Sequence, residues 1–234
     1  GKKVQSDLYP DRSVSELEGL ANELNSNYFT AVGRSLSVPI PIEDIAEHFL
    51  GYSIDITDEG LFSDPDFLGG IDFDQNLIYV NASVEAHDGR YAFTVAHEIG
   101  HHTLHKEAFL LSNEYSEKGI LCRDTKEKPR IEVEADRFAA ALLMPSDVVL
   151  EAVHVISPKP KVNSIGQGRG LASKLINEGQ FSNVSNSAMI NRLIDLKLVP
   201  EFVGYQNGQF RKGRRRPSLS MMVHRTLSKI RFWS

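Results

Sequence analysis

Apolar residues recur every three or four positions from Val14, placing Val14, Leu17, Ala21, Leu24 and Tyr28 on one face. That period predicts an amphipathic helix, and Ser13 with Glu16 three residues later is the capping-box pattern that opens one. A shorter helix is predicted over Pro41–Leu50, with Pro at its first position and Gly51 just past its end. The pattern then turns strand-like at Tyr52–Thr57, Leu68–Asp74 and Leu77–Asn81. Gln75-Asn76 is a turn signal that makes the last two an antiparallel hairpin. Helical spacing returns over Asp88–His105. A polar stretch, Lys106–Lys128, reads as loop, and a second helix runs over Pro129–Met144, where Pro145 stops it. Ser146 is placed to cap a further helix to about Ile156.

From Ser157 the composition shifts to Pro, Gly, Ser and Lys, the mark of a linker or domain edge. Ser185–Leu196 is again helical, with Met189, Ile190, Leu193 and Ile194 as its apolar face, and Asn207-Gly208 predicts a hairpin within Phe202–Arg211. These shifts divide the chain into an N-terminal helical extension (1–37), a core (38–156), a helical, winged-helix-like appendage (157–211) and a basic C-terminal tail (212–234).

Composition narrows the class. The 234 residues are 41% hydrophobic and 24% charged, which excludes collagen-like, mucin-like and disordered chains. The one cysteine excludes a disulfide scaffold and fits a reducing compartment. The longest apolar run, Phe138–Met144, is too short to span a bilayer. Gly1-Lys2-Lys3 leads into polar sequence with no apolar signal region, so a cytoplasmic protein without membrane contact is expected. Eight of the 26 Lys and Arg lie in Arg211–Ser234, which holds no Asp or Glu, leaving 18 basic against 31 acidic residues elsewhere. An acidic body with a basic tail suits an interaction arm as well as a solvated end.

The chemistry-bearing segment is Ala96-His97-Glu98-Ile99-Gly100-His101. Helical positions four apart lie about 40° apart in projection and about 6 Å apart along the axis. His97 and His101 therefore present two imidazoles to one metal ion. Glu98, one step around the helix, is placed to take a proton from a water molecule at the metal. A third ligand is expected within Ile131-Glu132-Val133-Glu134-Ala135-Asp136. The two glutamates lie about 200° apart on a helix and cannot both face the metal. Glu132 shares its face with Asp136, which suits a metal-bound carboxylate and an acceptor for the outer N–H of a metal-bound histidine. Glu134 shares its face with Phe138 and reads as a solvent-side charge. His97, His101 and Glu132 as ligands, Glu98 as catalytic base and Asp136 behind a ligand leave one coordination position open, the mark of a catalytic zinc site. Zn²⁺ is the expected cofactor, with Mn²⁺ as an alternative.

The runs RYAFTVAHEIGHHTLH and IEVEADRFAAALLMP resemble the ImmA/IrrE metallopeptidases, strongly over about 69–145 and more weakly over 38–68. The resemblance implies an α+β, zincin-like core with a small mixed or antiparallel sheet, active-site helices and a helical C-terminal appendage. NVSNSAMINRLIDLKLV is similar to the helical segment that follows the core in that family. It also implies His97, His101 and Glu132 as ligands, Glu98 as catalytic residue and Asp136 as their partner. Known members cut a helix-turn-helix repressor, so a zinc endopeptidase acting on such a protein partner is expected. The other reading is a non-catalytic DNA- or protein-binding regulator, or a toxin–antitoxin component, keeping the metal for structure. The basic end after Arg211 has no counterpart in the family.

The remaining residues are weighed individually. His102 and His105 read as helix-surface or helix-end histidines, and His87 as a loop residue. Tyr91, Tyr115 and Tyr205 are candidates for an oxyanion donor, with a structural tyrosine as the simpler reading of each. Cys122 reads as a free thiol and Met144 as pocket floor or core. Leu77–Asn81 is taken as the sheet edge that holds an extended substrate. Ser185–Leu196 matches the second helix of a helix-turn-helix, but Asp195 argues against DNA and for packing on the core or contact with a substrate. The basic tail could follow a phosphate backbone or fold as an amphipathic helix, so nucleic acid is a possible partner that is not favoured.

Overall fold

The computed structural model describes residues 10–63, 67–116, 130–158 and 160–204. Helix α1 (Val14–Ala31) opens on the predicted capping box. The Ser13 Oγ accepts from the Glu16 N–H at 3.2 Å, and Glu16 accepts from the Ser13 N–H at 2.6 Å. Leu17, Ala21, Leu24 and Tyr28 are buried, whereas Val14 is 52% exposed, so the apolar stripe begins one turn later than predicted. Helix α2 (Ile42–Asp44) runs into a single π turn (Ile45–Phe49), with the Leu50 N–H donating to the Ile45 carbonyl at 2.9 Å. The predicted Pro41–Leu50 helix is therefore present with a widened end.

Three strands follow: β1 (Ser53–Thr57), β2 (Gly69–Asp72) and β3 (Leu77–Asn81). β2 and β3 form the predicted antiparallel hairpin, with Ile71 opposite Ile78. At its turn the Asp72 Oδ1 accepts from the Asp74 and Gln75 N–H groups, and Asn76 takes a φ of 50°. β1 adds to the other side of β3 in parallel, giving the order β1-β3-β2. The strand taken as the substrate-holding edge is thus central, because β1 covers it; order along the chain carries no information about that parallel pairing.

Asn81 caps α3 (Ala82–Glu85), and α4 (Asp88–Ser116) runs through the stretch expected to be loop as far as Ser116. The helix continues because Leu104 and Ala108 stay buried at helical spacing and Phe109 stacks edgewise on Phe73, 5.2 Å between centroids. Helix α5 (Arg130–Leu143) ends before Pro145, which itself caps α6 (Ser146–Ile156); Ser146 is the first helical residue and no side chain caps that helix. No single helix among the described residues is long and apolar enough to cross a membrane, and α5 and α6 meet at 51°.

The segment read as a linker holds a further helix, α7 (Ile165–Glu178), followed by α8 (Asn186–Asp195), which Ser185 caps as its position predicts. Three glycines in the first half of α7 lower its helix propensity and hide it. Gly168 has a packing reason: a Cβ there would meet Val203 Cγ1 at 2.0 Å. Val203 lies in a short 3₁₀ turn (Glu201–Gly204), which replaces the start of the predicted Phe202–Arg211 hairpin; the rest of that hairpin and the basic tail lie outside the described residues.

One hydrophobic core joins these elements. Leu17 and Tyr28 of α1, Ile78 of β3, Val95 of α4, Phe138 and Leu142 of α5, Leu175 of α7 and Met189 and Leu193 of α8 all belong to it. Two polar ties cross it. Asn25 donates to the Leu142 carbonyl at 3.0 Å, and buried Arg192 donates through Nε to the Met144 carbonyl at 2.9 Å while pairing with Glu18. α4 and α5 are the most extensively packed pair, and the site lies along their seam.

Candidate metal centre

Ala92, Val95, Ala96 and Ile99 are buried apolar positions of α4, which packs on β2 and β3 and along α5. Gly100 sets how close α5 comes: a Cβ there would lie 3.2 Å from both the Cα and the carbonyl oxygen of Ala135. This close approach brings the acidic first turns of α5 onto the two histidines. His97 Nε2 and His101 Nε2 lie 3.0 Å apart. Glu132 reaches them from α5, with Oε2 3.4 Å from His97 Nε2 and Oε1 3.5 Å from His101 Nε2. Behind His97, Asp136 Oδ1 is 2.8 Å from Nδ1. The two histidines and Glu132 are buried, and Glu98, 2% exposed, lies beside them on α4.

The donor set fits a divalent cation. Four-coordinate ligands about 2.0–2.1 Å from one ion sit about 3.3 Å from each other. Here the two imidazole Nε2 atoms are 3.0 Å apart, and the two Glu132 oxygens lie 3.4 Å from one and 3.5 Å from the other. Asp136 accepts the Nδ1–H of His97, which leaves Nε2, the nitrogen beside Glu132, as the one available to a metal. In the metal-free site burial opposes charge on His97, but Asp136 and Glu132 overcome it and raise its pKa to about 10. Burial also works against a charged Glu132, yet the imidazoles hold its carboxyl below the usual range. Glu98 is pushed the other way: burial raises its pKa against the pull of His97 and His101, which makes it a stronger base once ionised.

The surroundings correct two expectations. Glu134 is not a solvent-side charge; it is 3% exposed and ion-paired with Arg12 at 3.3 Å and Arg130 at 3.2 Å. Arg12, from the segment leading into α1, covers that side of α5 and donates through Nη2 to the Leu104 carbonyl at 2.9 Å. His105 is not a surface histidine; it is 3% exposed, with Nδ1 3.0 Å from His101 Nδ1 and Nε2 3.2 Å from Glu134. Burial lowers its pKa to about 4 despite Glu134. His102 is partly buried too, its Nδ1 2.7 Å from the Tyr52 hydroxyl, and burial together with Lys106 lowers it to about 4. The four-residue spacing from His101 to His105 was the available signal for the first of these contacts; an arginine 122 positions from Glu134 left none.

Tyr91 engages Glu43, and burial with that carboxylate raises its hydroxyl above the ordinary range. His87 is exposed between α3 and α4, and Met144 is buried in the core. The Tyr115 side chain, Tyr205 and Cys122 lie outside the described residues.

Comparison with protein families matches residues 55–159 to Peptidase_M78, the IrrE N-terminal-like domain. Over that span the chain is similar to an IrrE N-terminal-like domain. Its mixed α+β architecture, a three-stranded sheet beside the helices that bear the His–His–Glu cluster, is the zincin-like core with a helical extension. All residues of the cluster lie inside the matched span, whereas Arg12, α1, α7 and α8 lie outside it. No curated protein matches the chain.

Proposed function

We propose that the protein is a zinc-dependent endopeptidase, with His97, His101 and Glu132 as ligands and Glu98 as the catalytic base. The observation that carries this reading is the buried cluster itself, in which two imidazoles and a carboxylate converge within 4.8 Å beside an unusually basic glutamate. The match to a peptidase family supports the same reading. Zinc, when bound, supplies Lewis acidity, polarising the scissile carbonyl and lowering the pKa of water to about 7. Glu98 takes the proton from the attacking water and passes it to the leaving amine, a role that its raised pKa favours. Asp136 keeps the His97 Nδ1 protonated and the imidazole turned toward the site.

The substrate we propose is a helix-turn-helix repressor, whose cleavage derepresses the genes it silences; the resemblance to ImmA/IrrE enzymes supports that class. Co-expression with a helix-turn-helix repressor encoded beside the protein, in the presence of Zn²⁺, tests it on a gel. Wild type truncates the repressor, whereas Glu98→Gln binds zinc and leaves it whole. Equal truncation by both proteins, or activity in vivo that survives Glu98→Gln, contradicts the enzyme and favours a regulator with a structural metal. A Mn²⁺ arm in the same assay decides between the two metals.

A further inference from the structure

We propose that His105 and Glu134 are positioning residues for the His101 ligand, a relay that does for His101 what Asp136 does for His97 directly. The inference rests on the metal reading above and extends it to residues outside the ligand set. Its basis is a run of three close polar contacts: His101 Nδ1 to His105 Nδ1 at 3.0 Å, His105 Nε2 to Glu134 Oε2 at 3.2 Å, and Glu134 Oε2 to Arg12 Nη1 at 3.3 Å.

Hydrogen-bond polarity fixes the direction of each step. An ionised carboxylate only accepts, so Glu134, held by Arg12 and Arg130, takes the Nε2–H of His105. A neutral imidazole that donates from Nε2 has a bare Nδ1, so His105 accepts there. The donor facing it is then the Nδ1–H of His101, which leaves the His101 Nε2 lone pair toward His97 Nε2 and Glu132. Any other assignment breaks a contact or points a proton at the metal position. His105 and Glu134 are each 3% exposed, so water is not at hand to substitute for a lost partner. The two ligand histidines thus have unequal supports: a direct carboxylate for one, and for the other a histidine and carboxylate clamped by an arginine outside the matched domain.

Two measurements test this. In wild-type protein with ¹⁵N-labelled histidine, loaded with zinc, long-range proton–nitrogen correlation reads the tautomers without any substitution. The relay predicts His105 protonated on Nε2 only and His101 on Nδ1 only; His105 protonated on Nδ1 overturns it. Zinc affinity by chelator competition then separates positioning from packing. His105→Phe fills the space without an acceptor and should bind zinc about tenfold more weakly, the lower end of the effect of losing such a partner. His105→Gln offers a carbonyl to His101 and should recover part of that loss. Phe binding as tightly as Gln overturns the relay even where both variants fold. A wild type that takes up no zinc defeats the metal reading itself, an outcome distinct from zinc binding that ignores position 105.

Discussion

The α4–α5 seam and the α7–α8 pair are both deeply buried and are built from opposite chemistry. Along the seam His97, Glu98, His101, His105, Glu132 and Glu134 are each no more than 6% exposed. In the helix pair Leu171, Ala172, Leu175, Met189 and Leu193 fill the same kind of space, and Arg192 is its buried charge. Burying an ionisable group costs several kcal/mol unless partners compensate, so six together in one seam are not there for stability. Apolar side chains at helical spacing stabilise on their own account. The contrast separates the part of the molecule that carries chemistry from the part that holds it in place.

The comparison breaks most sharply at Glu98. Glu98→Gln is expected to lower the cleavage rate by about 10³-fold, within the range for losing a general base, while zinc content by atomic absorption is unchanged. Next in size, Leu193→Ala in α8 should destabilise the fold by about 2–5 kcal/mol in denaturant melts, since it empties a site that is 0% exposed. Its zinc affinity at a temperature where it stays folded should match wild type. A loss of zinc there equal to that from a ligand substitution would mean that the two regions are not separable.

A smaller and graded effect comes from pH. In the metal-free protein His97 has a pKa raised from 6.5 to about 10, so its contribution to stability is complete below 6.5 and is lost as pH rises through 10. A metal ion must displace that proton, so zinc affinity should rise by up to about tenfold per pH unit from about 7 and flatten above 10. Metal-free stability and zinc affinity therefore have opposite slopes over this window, measurable by thermal melts and chelator competition. Parallel slopes would remove His97 from the site.

How far the chain could be read follows from the range of each contact. His97, His101, Glu132 and Asp136 sit at spacings set within two helices, and the structure brings all four together. Gly100, inside the motif, lets the helices approach, which a pattern of polar and apolar residues does not express. The burial of Glu134 is not legible in its helical face, because its cover, Arg12, comes from another part of the chain. α7 was missed because its glycines lower helix propensity and only its packing partner, Val203, explains one of them. β3 reads as an edge from the sequence because a parallel strand arriving from earlier in the chain leaves no local mark.

X-ray absorption at the zinc edge of the loaded protein tests the central claim most directly. The account predicts a first shell of nitrogen and oxygen at about 2.0–2.2 Å with imidazole scattering, no sulfur, and zinc uptake lost in His97→Ala and in Glu132→Ala. A sulfur shell at about 2.3 Å, or uptake undiminished in both variants, would contradict it.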